Sequence, residues 1–294
     1  MIINVLIPAI VMLLMVVVGT GLQVGQFRSV LRNKAALVGG SLAQVLLLPA
    51  GALIIVYFLD PSPELAAGLI LVAACPGGAL SNFYCHLARL NVPLSVTLTA
   101  VSSVASFLIL PLTLAVAFPV VASTWGQEVP ALALAQRLSL FLLLPIGAGM
   151  LLRYFFSSFV MSYANFTRAA SLILVVLLLT LIIVDQWQNV IRLSLEAAVI
   201  AVLFTGFAVF SGWGSGYLLG LNQTDRFVFS VEFAVRNVGA AALVAASTLG
   251  HPEFVAFGAL FVVFQFPLIV LFFFFYQNMQ FKIQRESEDE NCLM

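Results

Sequence analysis

Glu232 is the residue in this chain whose place most needs a chemical reason. It stands inside an apolar stretch running from about residue 226 to 250, with Arg236 four residues later. A carboxylate at mid-bilayer costs about 2.5–3.5 kcal/mol even on the lenient insertion scale, which argues against an unpartnered structural role. Two other apolar stretches carry Ser81 and Asn82, and Ser95 and Thr99. Together these five residues offer carboxylate, hydroxyl and amide oxygens, the ligand types that suit hard cations. A single hydroxyl in a membrane helix usually bonds its own backbone or a neighbouring helix. The combination with Asn82 and Glu232 turns the reading toward a cation site.

The segments that carry these residues are interrupted. One reads Cys75-Pro76-Gly77-Gly78-Ala79-Leu80-Ser81-Asn82, the other Glu232-Phe233-Ala234-Val235-Arg236-Asn237-Val238-Gly239. Pro76 frees a carbonyl one turn earlier, and Gly77 and Gly78 let the backbone approach a ligand closely. Helix N-termini at such breaks attract anions, so an organic anion is the natural substrate class. A kink needed only for packing is the competing explanation. Broken helices in corresponding positions of two halves are the sequence pointer to a midplane site in a secondary transporter.

The elements that position these groups are membrane spans. Hydrophobic residues make up 63% of the 294 and charged residues 8%, against roughly 25% charged in a soluble domain. Such a chain takes the lipid bilayer as its solvent. A formal net charge of zero argues against a nucleic-acid partner. Cys75, Cys85 and Cys292 make no disulfide framework, and Cys292 is one place short of a prenylation box. Met1 to Val18 lacks the basic leading region of a cleaved signal peptide.

Apolar runs of about 20 residues fall near 3–22, 36–58, 65–88, 92–118, 131–152, 169–186, 197–220, 226–250 and 253–277. The expected fold is therefore all-α and polytopic, with about nine transmembrane helices. Arg28, Arg32, Lys34, Arg89, Arg153, Arg168, Arg226, Lys282 and Arg285 fall on one side, with Arg192 the main exception. The positive-inside rule then puts the N-terminus outside and the C-terminus in the cytoplasm of a plasma or inner membrane. The tail from Arg285 to Glu290 reads as disordered. A shift of about 155 residues lays spans one to four on spans six to nine, broken span on broken span. The two copies would be inverted in the membrane, leaving span five without a partner.

The stretch Cys75 to Ser103, with PGGALSN followed by Asn91-Val92-Pro93-Leu94-Ser95, resembles the signature of the bile acid:sodium symporter family, the apical sodium-dependent bile acid transporter type. Glu232 to Gly239 resembles that family's second crossover segment, and Gln44 before Pro49 resembles a third element. The resemblance covers nearly the whole chain. It implies a nine-span member that starts at the second span of ten-span bacterial relatives, which accounts for the unpaired span five. It also implies two broken helices crossing at the centre of a core domain, 36–118 and 197–277, with a panel domain of 1–35 and 119–196. Residues 278–294 would form a cytoplasmic tail. Alternating access would come from one domain moving against the other around the crossover.

By the same resemblance, Ser81, Asn82, Ser95, Thr99 and Glu232 match a first sodium site, sodium being the coupling ion and no other cofactor or metal being implied. A second site would use Gln44, the Glu232 carboxylate, backbone oxygens near Phe233 and Val235, and a glutamine side chain. This chain has Arg236 in that glutamine's place. Arginine has donors and no acceptor, so it cannot replace an amide oxygen as a ligand. Three readings stay open: a tethered surrogate for the second cation paired with Glu232, a bidentate partner for an anionic substrate, or a structural ion pair. Pro76, Gly77, Gly78, Ala79, Arg236, Asn237 and Gln265 are the expected substrate contacts. Ala79 replaces a threonine, and Gln265-Phe266 a histidine-asparagine pair, of some relatives. Bile acid is therefore not carried over as the substrate.

Three functional alternatives accompany the sodium-coupled carrier. Glu232 could carry a proton, making a proton-linked or uncoupled carrier, or the fold could serve a non-transporting sensor. An intramembrane enzyme would need paired aspartates, a serine with its base or a metal cluster, and the sequence offers none. His86 reads as an interfacial hydrogen-bonding residue, and His251, in a turn with Pro252, has no role. The glycosylation patterns at Asn165 and Asn222 fall on the cytoplasmic side and are rejected. Gly212, Gly216 and Gly220 read as a close-packing stripe, and Phe272 to Phe275 as lipid-facing bulk. The oligomeric state is left open.

Overall fold

The computed structural model describes residues 3–21, 34–122, 140, 144–185 and 187–292. Twelve α-helices account for nearly all of them. They are α1 (Ile3–Gly21), α2 (Lys34–Leu59), α3 (Pro63–Ala74), α4 (Ala79–Leu87), α5 (Val92–Ala122) and α6 (Leu144–Phe155). After them come α7 (Ser157–Ser162), α8 (Ala164–Asp185), α9 (Trp187–Leu218), α10 (Gln223–Ala234), α11 (Val238–Leu243) and α12 (Val255–Cys292). Among the described residues, three stretches are long and apolar enough to cross a membrane: Ala36–Leu59, Val190–Leu218 and Val255–Asn278. Of the expected fifth span, 131–152, residues 131–139 and 141–143 lie outside the described residues.

Helices α3 and α10 are each 12 residues long, or about 18 Å at 1.5 Å per residue, too short to cross a hydrocarbon core alone. Both expected breaks are therefore present, and each half-helix stops inside the protein. Helix α10 is enclosed by α2, α5, α9 and α12, while α3 packs on α2, α5 and α12. Phe204, Phe227, Phe229, Phe233, Phe257 and Phe261 fill the space between them and are fully buried. Helix α1 packs instead on α6 and α8, and reaches the broken region through α11. Gly19 and Gly149 make that approach possible, since a Cβ on Gly149 would lie 2.8 Å from the Gly19 Cα.

Four sequence expectations change in detail. Helix α9 begins ten residues before the expected seventh span, because its early charges sit at the end of the bundle and find partners. The Arg192 guanidinium pairs with Glu64 at 3.3 Å, and the Glu196 carboxylate accepts from the Ser62 amide at 2.8 Å. Helix α12 continues through the tail to Cys292, where Gln, Lys, Arg and Glu favour helix and neither glycine nor proline stops it. The phenylalanine run is divided by its rotation around the helix. Phe272 packs on Phe227 and Phe273 on Tyr84, at 4.8 and 5.9 Å between centroids, while Phe274 and Phe275 are exposed. The glycine stripe holds at Gly212, where a Cβ would lie 2.5 Å from the Phe229 carbonyl oxygen, and at Gly216 against Arg226. Gly220 serves otherwise: with φ +68° it ends α9 in the left-handed conformation.

Candidate ion and substrate site at the crossed helix breaks

Helix α3 stops at Ala74 because Cys75 precedes a proline, which disfavours helical geometry; Cys75 is extended, with φ −67° and ψ 154°. Helix α10 stops at Ala234, and Val235 is extended likewise. The chain restarts as α11 at Val238, where the Asn237 side chain accepts from the Ala240 amide at 3.0 Å as an N-cap. The two extended pieces run antiparallel across each other with Gly77 opposite Arg236. Gly78 N–H donates to the Val235 carbonyl at 2.9 Å, and Asn237 N–H donates to the Pro76 carbonyl at 3.0 Å. Each break thus satisfies backbone groups that the other exposes, as a membrane interior requires. The glycines are needed here: a Cβ on Gly78 would lie 2.8 Å from the Arg236 carbonyl oxygen.

Glu232 stands in the last turn of α10 and has no solvent exposure. Its carboxylate accepts from three hydroxyls. Thr99 Oγ1 donates to Oε1 at 2.5 Å, and Ser81 and Ser95 hydroxyls lie 2.6 and 3.0 Å from Oε2. The Ser81 hydroxyl also lies 2.8 Å from the Gly78 carbonyl, and the Ser95 hydroxyl 2.8 Å from Asn82 Oδ1. The Gly78 carbonyl also receives Ser81 N–H at 2.9 Å. At most three hydroxyl protons therefore reach a carboxylate with about four lone-pair sites, which leaves oxygen capacity that a bare cation could use. The five residues singled out in the sequence therefore converge, Asn82 through Ser95.

The residues around Arg236 are arranged the opposite way. Gln44 Nε2 donates to the Glu232 carbonyl at 3.1 Å, and Gln265 Nε2 to the Ala234 carbonyl at 3.3 Å. Arg236 Nη2 donates to the carbonyls of Ala73 and Cys75 at the broken end of α3. The expected pairing of Arg236 with Glu232 is not made within ion-pair distance; the ion pairs are Arg192–Glu64 and His251–Glu253 among the described residues. Arg236 is buried, and its Nε and Nη1 have no hydrogen-bond partner. It borders a small cavity with Gln44, Val45, Pro49, Cys75, Pro76 and Ser102. Phe233 stacks on Phe229 at 6.0 Å, and Ala79 opens α4 behind its N-cap Gly78. Asn237 turns its Nδ2 toward Met15 Sδ of α1, 3.9 Å away.

Ser102 was not anticipated. Its hydroxyl accepts from Gly77 N–H at 3.3 Å and donates to the Thr99 carbonyl at 3.0 Å, so it anchors the crossing strand to α5. The signal was available, because Ser95, Thr99 and Ser102 follow the i, i+4, i+7 spacing of one helix face.

Two half-helices crossing inside a bundle of apolar helices, beside a buried carboxylate, are the kind of arrangement in which secondary transporters build their sites. Residues 8–193 match the Sodium Bile acid symporter family, and the chain belongs to it. It is 26% identical over 227 residues to the uncharacterized sodium-dependent transporter YocS of Bacillus subtilis, covering 77% of this chain and 69% of that one. It is 30% identical over 240 residues to the probable chloroplast sodium/metabolite cotransporter BASS1 of Arabidopsis thaliana, covering 80% of this chain and 57% of that one. With human sodium/bile acid cotransporter 4 it shares 26% identity over 214 residues, 73% of this chain and 48% of that one. The chain thus spans little more than half the length of the plant relative and about half of the human one. This is a family of transporters and not of enzymes, and the family match itself ends before Glu232 and Arg236.

Proposed function

We propose that this protein is a secondary active transporter that couples uptake of an organic anion to sodium by alternating access. The fully buried Glu232 carboxylate, on which three hydroxyls converge where the two breaks cross, carries this reading. Sodium would take Ser81, Asn82, Ser95, Thr99 and Glu232 as its oxygen shell. The Bacillus, Arabidopsis and human relatives are named as sodium-dependent transporters or sodium cotransporters, which supports the choice of ion. The substrate's anionic group would meet the crossing strand at Pro76, Gly77 and Gly78 and the buried, incompletely partnered guanidinium of Arg236. Asn237, facing α1, would read the substrate from the other side.

In this reading α2–α5 and α9–α12 form a core, and α1, α6 and α8 a panel that moves against it. The full architecture is nine spans in an inverted repeat, with the N-terminus outside and the C-terminus cytoplasmic. The packing of α1 on α6 and α8 supports the division. The test is thermal stability of the purified protein against sodium, with potassium and choline as controls, since a ligand bound only by the folded state stabilises it. Saturable, sodium-specific stabilisation is expected. A response to pH with none to sodium would replace this reading with a proton-linked carrier.

A further inference from the structure

The two broken ends differ in how their freed carbonyls are served. At the end of α10, the carbonyls of Glu232, Ala234 and Val235 receive Gln44 Nε2, Gln265 Nε2 and Gly78 N–H. At the end of α3, the carbonyls of Ala73 and Cys75 receive Arg236 Nη2, and that of Pro76 receives Asn237 N–H. Both glutamine amides must present nitrogen, because a flipped amide would set oxygen against oxygen at the same distance. Carbonyls at a helix C-terminus carry roughly half a negative charge between them and attract cations. Here their partners are protein donors, and one of them already carries a positive charge.

Around Arg236 the surplus is of donors. Nε and Nη1 are buried without an acceptor, and a guanidinium offers five N–H groups and no lone pair. A free cation entering this space would meet like charge and outward-pointing hydrogens. Among the described residues of the crossover, it is the Glu232 pocket that combines a negative charge with three hydroxyl oxygens. We propose that Arg236 is a permanently tethered cation at the broken end of α3, and that it limits the crossover to one bound sodium ion per chain. A carrier built this way moves one sodium per cycle and keeps a fixed positive charge beside the crossing strand. The inference rests on the reading of the Glu232 pocket as a sodium site, but the two can fail separately.

The test is equilibrium binding of radioactive sodium to the purified full chain without substrate, in wild type, Arg236→Lys and Arg236→Gln. Wild type and the lysine variant should bind about one sodium per chain. Arg236→Gln, which removes the charge and frees the Ala73 and Cys75 carbonyls, should double the count. Two sodium ions on wild type would overturn the proposal, and that measurement stands alone if the glutamine variant fails to fold. Equal counts in wild type and a folded glutamine variant would also overturn it. No sodium on wild type but one on the glutamine variant would overturn the Glu232 site while leaving the role of Arg236 intact. No sodium on either, both being folded, would reject both.

Discussion

The Gly77 backbone lies directly against the Glu232 carboxylate, so closely that a Cβ at residue 77 would overlap Oε1. The first break thus shapes the pocket that the second break charges. Gly77→Ala should push the carboxylate away from Thr99, whose hydroxyl is 2.5 Å from the same oxygen. Overpacking of this kind costs about 1–3 kcal/mol. The expected outcome is a lower melting temperature together with at least a tenfold weaker response to sodium, read from thermal unfolding across a sodium titration. An unchanged sodium midpoint would mean that the carboxylate does not stay where Gly77 permits.

Thr99 and Ser102 lie one turn apart on α5 and have different jobs. Thr99→Val keeps the shape but removes the hydroxyl that donates to Oε1. Hydrogen bonds to charged groups contribute about 1.5–3 kcal/mol, so sodium affinity should fall by roughly ten- to a hundredfold. Ser102→Ala removes the acceptor for Gly77 N–H but no hydrogen bond to the carboxylate. Its effect should appear mainly in melting temperature, with sodium affinity changed less than threefold. Sodium titrations of the two variants side by side separate the roles.

Much of this site could be read from residue types because the membrane makes polar residues expensive. The breaks at Pro76-Gly77-Gly78 and Val235-Arg236-Asn237, and the convergence of Ser81, Ser95, Thr99 and Glu232, follow from that cost. The destination of Arg236 could not be read this way. Four residues of separation suggested a pair with Glu232, but the extended backbone at Val235 and Arg236 breaks the helical register that would align them. Its guanidinium reaches α3, some 160 positions away in sequence. The early start of α9 was hidden because hydropathy counts Arg192 and Glu196 against a span. It takes no account of their partners at Glu64 and Ser62. Phe272 to Phe275 do not share one surface, because successive residues on a helix turn through about 100°.

Two glycines on α9 and one just past its end look alike in sequence and should behave differently. At Gly212 a Cβ would lie 2.5 Å from the backbone oxygen of Phe229, which cannot move without shifting α10. Gly212→Ala should therefore destabilise by about 1–3 kcal/mol. At Gly214 nothing lies within 4 Å, so alanine should be neutral or stabilise by about 0.5–1 kcal/mol through helix propensity. Gly220 has open space but φ +68°, and alanine there should cost about 1 kcal/mol from the left-handed backbone alone. Melting temperatures of the three variants in one detergent check the order.

Glu232→Gln decides whether the carboxylate binds the ion or merely completes the packing. Glutamine matches glutamate in shape, and its amide would bring two hydrogens into a pocket that holds three hydroxyls. The hydroxyls can turn to accept from it, since Gly78 O and Asn82 Oδ1 already compete for their protons. Folding should therefore survive. Removing a buried charge that has no ionic partner should leave the melting temperature in sodium-free buffer unchanged or higher. The response to sodium should vanish, because the added hydrogens point where the cation would sit and the negative charge is gone. Thermal unfolding of the variant in sodium and in choline reads both effects at once. Stabilisation by sodium at the wild-type midpoint would move the ion away from Glu232, and the three hydroxyls would then be a packing device for a buried acid.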